Sequence, residues 1–297
     1  SMQQKRETAP YPGVLYTPGS FPDLDVLFVE WRWPTYKNFG EKKFEPDLDR
    51  QVELLNFYHG KIPVIAWDTD LKMTMADELQ WPEMIVADPS FEPRRLSRDR
   101  ARLTFWSDFK RLIPEQKDFV EYGYVGNNYE RDEMFQKYYS SAATTLRTRG
   151  IQTKVHGNWL QRSPERDSPE NLISKHKSVA FGRRASFKES MQLLGSFTCT
   201  THITKPLYAQ MGFASPRYLE NIVVGTPGLV PAEFKYNKIL GDDWIVSSPK
   251  DVVSAVCKIR DLSMSQRNEL VKEQTFNLLK HHDFSVKNVG DFIESTV

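Results

Sequence analysis

Three short apolar runs constrain this chain more than anything else in it: DVLFVEW (25–31), KIPVIAWD (61–68) and EMIVAD (83–88). None shows the in-out alternation of a strand with one wet face. Continuous apolar strands are buried on both sides, and a parallel sheet covered by helices is the arrangement that buries them. Between the first two lies EPDLDRQVELLNFYHGK, which reads as a helix closed by Gly60. Strand, helix and strand in that order predict an α/β protein.

A second set of the same kind follows. DFVEYGYVG (118–126) reads as a strand, 131–149 as a helix closed by Gly150, and QTKVHG (152–157) as the next strand. A polar, Pro-broken loop, NWLQRSPERDSPEN, leads to a helix around SFKESMQLLG (186–195) and a strand FTCTTHI (197–203). In SPRYLENIVVGTP (215–227) Ser215 is expected to cap a helix and Pro216 to open it, with Gly225 and Pro227 stopping it. A strand DWIVS (243–247), a helix over 249–260 and a long helix from Ser265 to His281 complete the set. The division between the sets is expected near LIPEQKD (112–118), and the first set is abbreviated, with no glycine-rich opening turn.

Composition narrows the class but not the partner. With 297 residues, 39% hydrophobic and 27% charged, the chain is globular. Lys plus Arg number 40 against 39 Asp plus Glu, so bulk charge selects no ligand. Cys199 and Cys257 lie too far apart for a disulfide framework or metal-ligand spacing, and are expected as reduced core residues. No apolar run approaches the roughly 18 residues that span a bilayer, and the first residues hold no signal-peptide core, so a cytoplasmic protein is expected.

Chemistry concentrates where strands turn into helices. In YGYVGNNYER (122–131), Gly126, Asn127 and Asn128 form a turn that lets a ligand approach the backbone, and the helix beginning near Arg131 offers free N–H groups to an anion. An ordinary βα turn reads the same way. On the later helix Arg217 can pair with a phosphate, and Glu220 can accept the two hydroxyls of a ribose; the plain alternative is a salt bridge between them three residues apart. His156 and Trp159 in VHGNW can face a nucleobase or fill the core. Lys205, at the end of THITK, can neutralise a diphosphate.

The order of VGNNYER, VHGNW, ESMQLLGSFTCTTHI and SPRYLENIVVGTPGLV resembles the CgeB-like glycosyltransferases, a branch of the GT-B type, over about residues 118–260. The resemblance implies two Rossmann-like domains facing each other across a cleft: an acceptor-side domain at 1–117, a nucleotide-sugar-binding domain at 118–272, and a tail at 273–297 that packs back on the first. It implies that Glu220 holds the ribose, that Arg217, Arg131 and the Gly126–Asn128 turn face the diphosphate, and that Lys205 stands near it. The implied reaction moves a hexose or pentose from a nucleoside-diphosphate sugar, UDP first among the carriers, to an acceptor hydroxyl. No metal or other cofactor is expected, because helix dipoles and basic groups stabilise the leaving diphosphate.

Two features point elsewhere. Asp68 and Asp70 form an Asp-x-Asp pair behind a strand, the pattern by which GT-A transferases hold a divalent cation. As site residues Asp68, Asp70 and Glu30 are instead expected at the C-terminal ends of their strands, where they can contact an acceptor. RRLSRDRARLTFWSDFKR (94–111) interleaves Arg94, Arg95, Arg98 and Arg102 with aromatic residues, as a nucleic-acid face does, and KHKSVAFGRRASFK (175–188) is basic without an acid. A solvated helix face is the plain reading of both. DNA bearing hydroxymethylated pyrimidines, or a saccharide, is therefore the expected acceptor, and a nucleotide-binding module without activity is the alternative from another class.

Overall fold

The computed structural model describes residues 19, 21–31, 46–106, 119–160, 168–281 and 285–296. They form two compact units, one built from the chain up to Ala87 with Arg95–Arg100, the other from Asp88–Arg94 with Ala101–Thr296. The boundary expected at 112–118 lies outside the described residues.

In the smaller unit the three apolar runs are strands: β1 (Leu27–Glu30), β2 (Val64–Trp67) and β3 (Ile85–Asp88). β2 lies between the others and pairs parallel with both, Leu27 opposite Val64 and Ile65 opposite Ile85. Helix α1 (Pro46–Tyr58) joins β1 to β2, and the chain turns at Gly60 with φ 76°. Helix α2 (Met75–Gln80) starts in a capping box: Thr74 takes the N–H of Asp77, and Asp77 takes that of Thr74. Trp31 and Trp81 meet edge to face at 6.0 Å in a core shared with Leu55, Ala66 and Met84. Burying each such large side chain contributes about 1.5–3 kcal/mol.

The larger unit holds β4 (Ala101–Arg102), β5 (Glu121–Val125), β6 (Gln152–His156), β7 (Val179–Gly182), β8 (Thr200–Thr201), β9 (Gly228–Pro231) and β10 (Ile245–Val246). β5, β6 and β7 pair parallel in one group, β8, β9 and β10 in another. Two main-chain bonds join the groups: Thr198 N–H to Glu121 O at 2.6 Å and Gly123 N–H to Cys199 O at 3.4 Å. The resulting order, β7-β6-β5-β8-β9-β10, is the 3-2-1-4-5-6 order of a doubly wound nucleotide-binding sheet. Gly123 makes the join possible, since a Cβ there would stand 2.3 Å from the Phe197 ring.

After β5 the chain is helical through α3 (Asp132–Phe135), a π-helical segment Gln136–Ser140, and α4 (Ser141–Thr148). Helices α5 (Pro169–Lys175), α6 (Phe187–Ser196), α7 (Pro206–Met211), α8 (Arg217–Val223), α9 (Pro249–Arg260), α10 (Met264–His281) and α11 (Val286–Thr296) follow. Tyr122, Tyr139, Val155, Leu229 and Val256 lie in the core of this unit, as do both free cysteines, Cys199 and Cys257.

The differences from expectation are local. β7 and β9 were hidden, one inside a basic tract and the other bounded by Gly228 and Pro231. The run 197–203 yields only the two-residue β8, because Phe197 ends α6 and the pairing with β9 stops after the bond from His202 N–H to Leu229 O at 2.9 Å. Ser215 makes no side-chain cap: Pro216 stands at the helix start, and the Ser215 carbonyl accepts from Tyr218 N–H at 3.1 Å.

Candidate nucleotide-sugar site

In the 3-2-1-4-5-6 order, the chain leaves the first strand toward one side of the sheet and the fourth toward the other. The crevice between their carboxyl ends is where such sheets bind ligands. Here those strands are β5 and β8, so the loops after Val125 and Thr201 frame the site.

The loop after β5 is locked to the loop after β6. Gly126 N–H donates to His156 O at 2.9 Å, Trp159 Nε1 to Gly126 O at 2.8 Å, and Asn128 N–H to Asn158 Oδ1 at 2.7 Å. Gly157 (φ 151°) passes so close that a Cβ on it would lie 2.1 Å from Gly126 O. Arg131 turns back, its Nη1 donating to Asn127 O at 3.1 Å and Tyr129 O at 3.2 Å. Gly126, Asn127, Asn128, Arg131, His156 and Trp159 thus form one cluster.

Two expectations change within it. The main-chain N–H groups of Gly126, Asn128, Tyr129 and Arg131 are all spent inside the cluster, so the turn does not offer a row of free donors. Trp159 is 2% exposed and its N–H is used, which makes it a clamp and not a platform for a base. His156 is half-buried. Burial first, then the charge of Lys154, holds its imidazole below the ordinary histidine range.

The loop after β8 comes to the same place. Lys205 Nζ lies 3.8 Å from Glu130 Oε1, and Thr204 N–H points at the Met134 sulfur, 3.3 Å away. Glu130 itself is held at φ 56°, in the left-handed region. On α8, Arg217 and Glu220 form an ion pair with each other and are partly exposed. One residue not singled out by its sequence pattern ties α8 to this loop. His202 stacks on Tyr218 at 3.8 Å, and its Nε2 lies 3.3 Å from Asn221 Nδ2. Burial, and secondly the positive charge of Arg217, push the His202 pKa down to about 3, so the ring is neutral. The 202–205 loop thus meets Glu130 and Met134 through Lys205 and Thr204, and Tyr218 and Asn221 of α8 through His202.

In the smaller unit Glu30, the last residue of β1, and Asp70, beyond β2, are exposed, and Thr69 Oγ1 donates to Glu30 at 3.3 Å. Asp70 pairs with Lys72 at 2.8 Å. Asp68 points the other way. It is fully buried, accepts the N–H groups of Lys72 (2.7 Å) and Met73 (3.1 Å), and pairs with Arg100 at 2.9 Å. Its carboxylate is therefore neither an acceptor contact nor a partner to Asp70 around a cation. The cause is Arg100, which also binds Glu78 at 2.8 Å. Among the described residues no cluster of three His, Cys, Asp or Glu side chains could hold a metal.

The expected nucleic-acid face also changes. Arg98 gives its guanidinium to the carbonyls of Pro82, Met84, Trp81 and Glu78. Arg102 lies over the Phe91 ring at 4.5 Å and donates to His281 O, while Arg94 gives its N–H to Asp88 at 2.9 Å and its Nε is buried. Arg95 projects with 75% of its side chain exposed, near Asp99, and Arg102 is exposed as well.

The fold is that of the GT-B glycosyltransferases. The chain is similar to T4 phage β-glucosyltransferase solved with UDP and Mn²⁺, at 13% identity and TM-score 0.59, over 91% of this chain and 82% of that one. A second structure of that DNA-modifying enzyme, studied with and without its substrate uridine diphosphoglucose, gives 14% identity and TM-score 0.56 over 83% and 79%. TarM of S. aureus gives 9% identity and TM-score 0.57 over 84% of this chain, which spans about half (53%) of TarM. No protein-family model and no curated protein sequence matches the chain. No helix among the described residues is long and apolar enough to cross a membrane.

Proposed function

We propose that this protein transfers a hexose from a UDP-sugar to a hydroxyl group, with the donor held by the larger unit. What supports the reading is the loop after β8, which reaches Glu130 and Met134 beyond the β5 turn through Lys205 and Thr204, and the helix of Arg217 and Glu220 through His202. Because the turn's own N–H groups are spent, the cations Arg131, Lys205 and Arg217 take the diphosphate, and Glu220, exchanging part of its bond to Arg217, takes the ribose hydroxyls.

In the reaction the bond between the anomeric carbon and the diphosphate oxygen breaks. The acceptor oxygen bonds to that carbon, and its proton passes to the departing diphosphate. Charge neutralisation of the departing UDP and fixed placement of the two reactants supply the rate. Glu30 and Asp70 are the carboxylates we assign to the acceptor hydroxyl. The acceptor in this reading is a hydroxymethylated pyrimidine in DNA, supported by the likeness to the T4 enzyme, and a saccharide is the competitor that the same assay scores.

Glu220→Ala tests the donor site. Titration calorimetry with UDP should show affinity weakened by about 1–3 kcal/mol, the worth of a hydrogen bond to a charged group. An unchanged UDP affinity removes Glu220 from the site.

A further inference from the structure

Beyond Gly182 the edge strand β7 runs into Arg183, Arg184, Ala185 and Ser186, and α6 begins at Phe187. The start of that helix is fixed by a capping box, Ser186 and Glu189 each taking the other's N–H. Phe187 is nevertheless 72% exposed, the most exposed of the large apolar residues among those described. Around it stand Arg183, with 82% of its side chain exposed, and the exposed Arg184 and Lys188. Glu189 pairs with Arg183 at 2.7 Å; Arg184 and Lys188 enter no ion pair among the described residues.

The patch adjoins the donor site. Gly182 lacks the side chain that would collide with His156, since a Cβ would stand 2.1 Å from Nδ1, and His156 bonds to the Arg183 main chain. The His156 carbonyl in turn holds Gly126. One continuous rim therefore leads from the β5 turn to the exposed phenylalanine.

We propose that Arg183, Arg184, Phe187 and Lys188 form a docking surface for a nucleic-acid strand, the cations on its phosphates and an unpaired base stacked on the Phe187 ring. Charge alone fits any polyanion. An exposed aromatic ring among cations is the combination by which single strands are gripped, because every base has a face to stack. The proposal rests on the reading above in naming its acceptor class, but the surface stands by its own contacts.

The test is fluorescence anisotropy with a single-stranded DNA oligonucleotide of about a dozen nucleotides. Inorganic polyphosphate competition and UDP calorimetry are run on the same proteins. Phe187→Ala should weaken oligonucleotide binding by about 5- to 150-fold and leave polyphosphate binding unchanged. The triple variant Arg183→Gln, Arg184→Gln, Lys188→Gln should flatten the salt dependence, log affinity against log salt, by about 2. Oligonucleotide binding untouched by both variants overturns the proposal, as does an equal loss of oligonucleotide and polyphosphate in Phe187→Ala, which marks a surface for base-free polymers. If the DNA pattern holds while UDP fails to bind, the docking surface stands and the donor assignment falls.

Discussion

Arg98 and Arg184 belong to two tracts of similar composition, 94–102 and 175–188, and their guanidinium groups meet opposite surroundings. Arg98 arrives beside the C-terminal end of α2, and its fork of donors reaches the Glu78 carbonyl in that helix and, just past it, Pro82 O at 2.6 Å, Met84 O at 2.7 Å and Trp81 O at 3.0 Å. Two residues on, Arg100 is buried between Asp68 and Glu78. Arg184 and Lys188 face water beside an exposed ring. A basic tract is thus not a basic surface. What decides is whether the fold delivers carbonyls and carboxylates to the cations before solvent does.

The contrast has measurable consequences, the largest in the first tract. Arg100→Leu leaves Asp68 and Glu78 buried without their counter-charge, and urea unfolding should show a loss of about 3–5 kcal/mol. Arg98→Ala strips a charged donor group from four carbonyls. It should cost about 2–3 kcal/mol in the same measurement. If either variant unfolds at the wild-type urea midpoint, the first tract is solvated after all and the distinction between the tracts is lost.

Much of this fold was legible because it depends on neighbours in sequence. β1, β2 and β3 lie within the three apolar runs, and Gly60, Gly150 and Gly225 all take the positive φ of a helix stop, 76°, 76° and 71°. The short elements were not legible. β7 contributes four residues inside a cationic run, and β9 carries Gly and Pro, the two residues least expected in a strand. At the site, the β5 turn and Lys205 were readable as strand ends. The fate of Asp68 was not, since it is set by an arginine 32 residues downstream. His202 was invisible for the same reason: its role depends on Tyr218 and Asn221, which fold back from another helix. Local pattern reports which backbone forms; long-range partners decide which polar groups remain for a ligand.

The smallest effect is the sharpest test of that rule. Arg184→Gln removes a charge that no described residue uses, so the urea midpoint should move by no more than about 0.5 kcal/mol in stability. The same substitution should lower the salt slope of oligonucleotide binding by about 0.7, the share of a single phosphate contact on a single strand. Arg98→Ala should show the reverse pairing, a large change in stability and none in the slope of whatever protein remains folded. A single arginine that moved both quantities would mean that one side chain serves fold and ligand together, and the separation drawn between the two tracts would no longer hold.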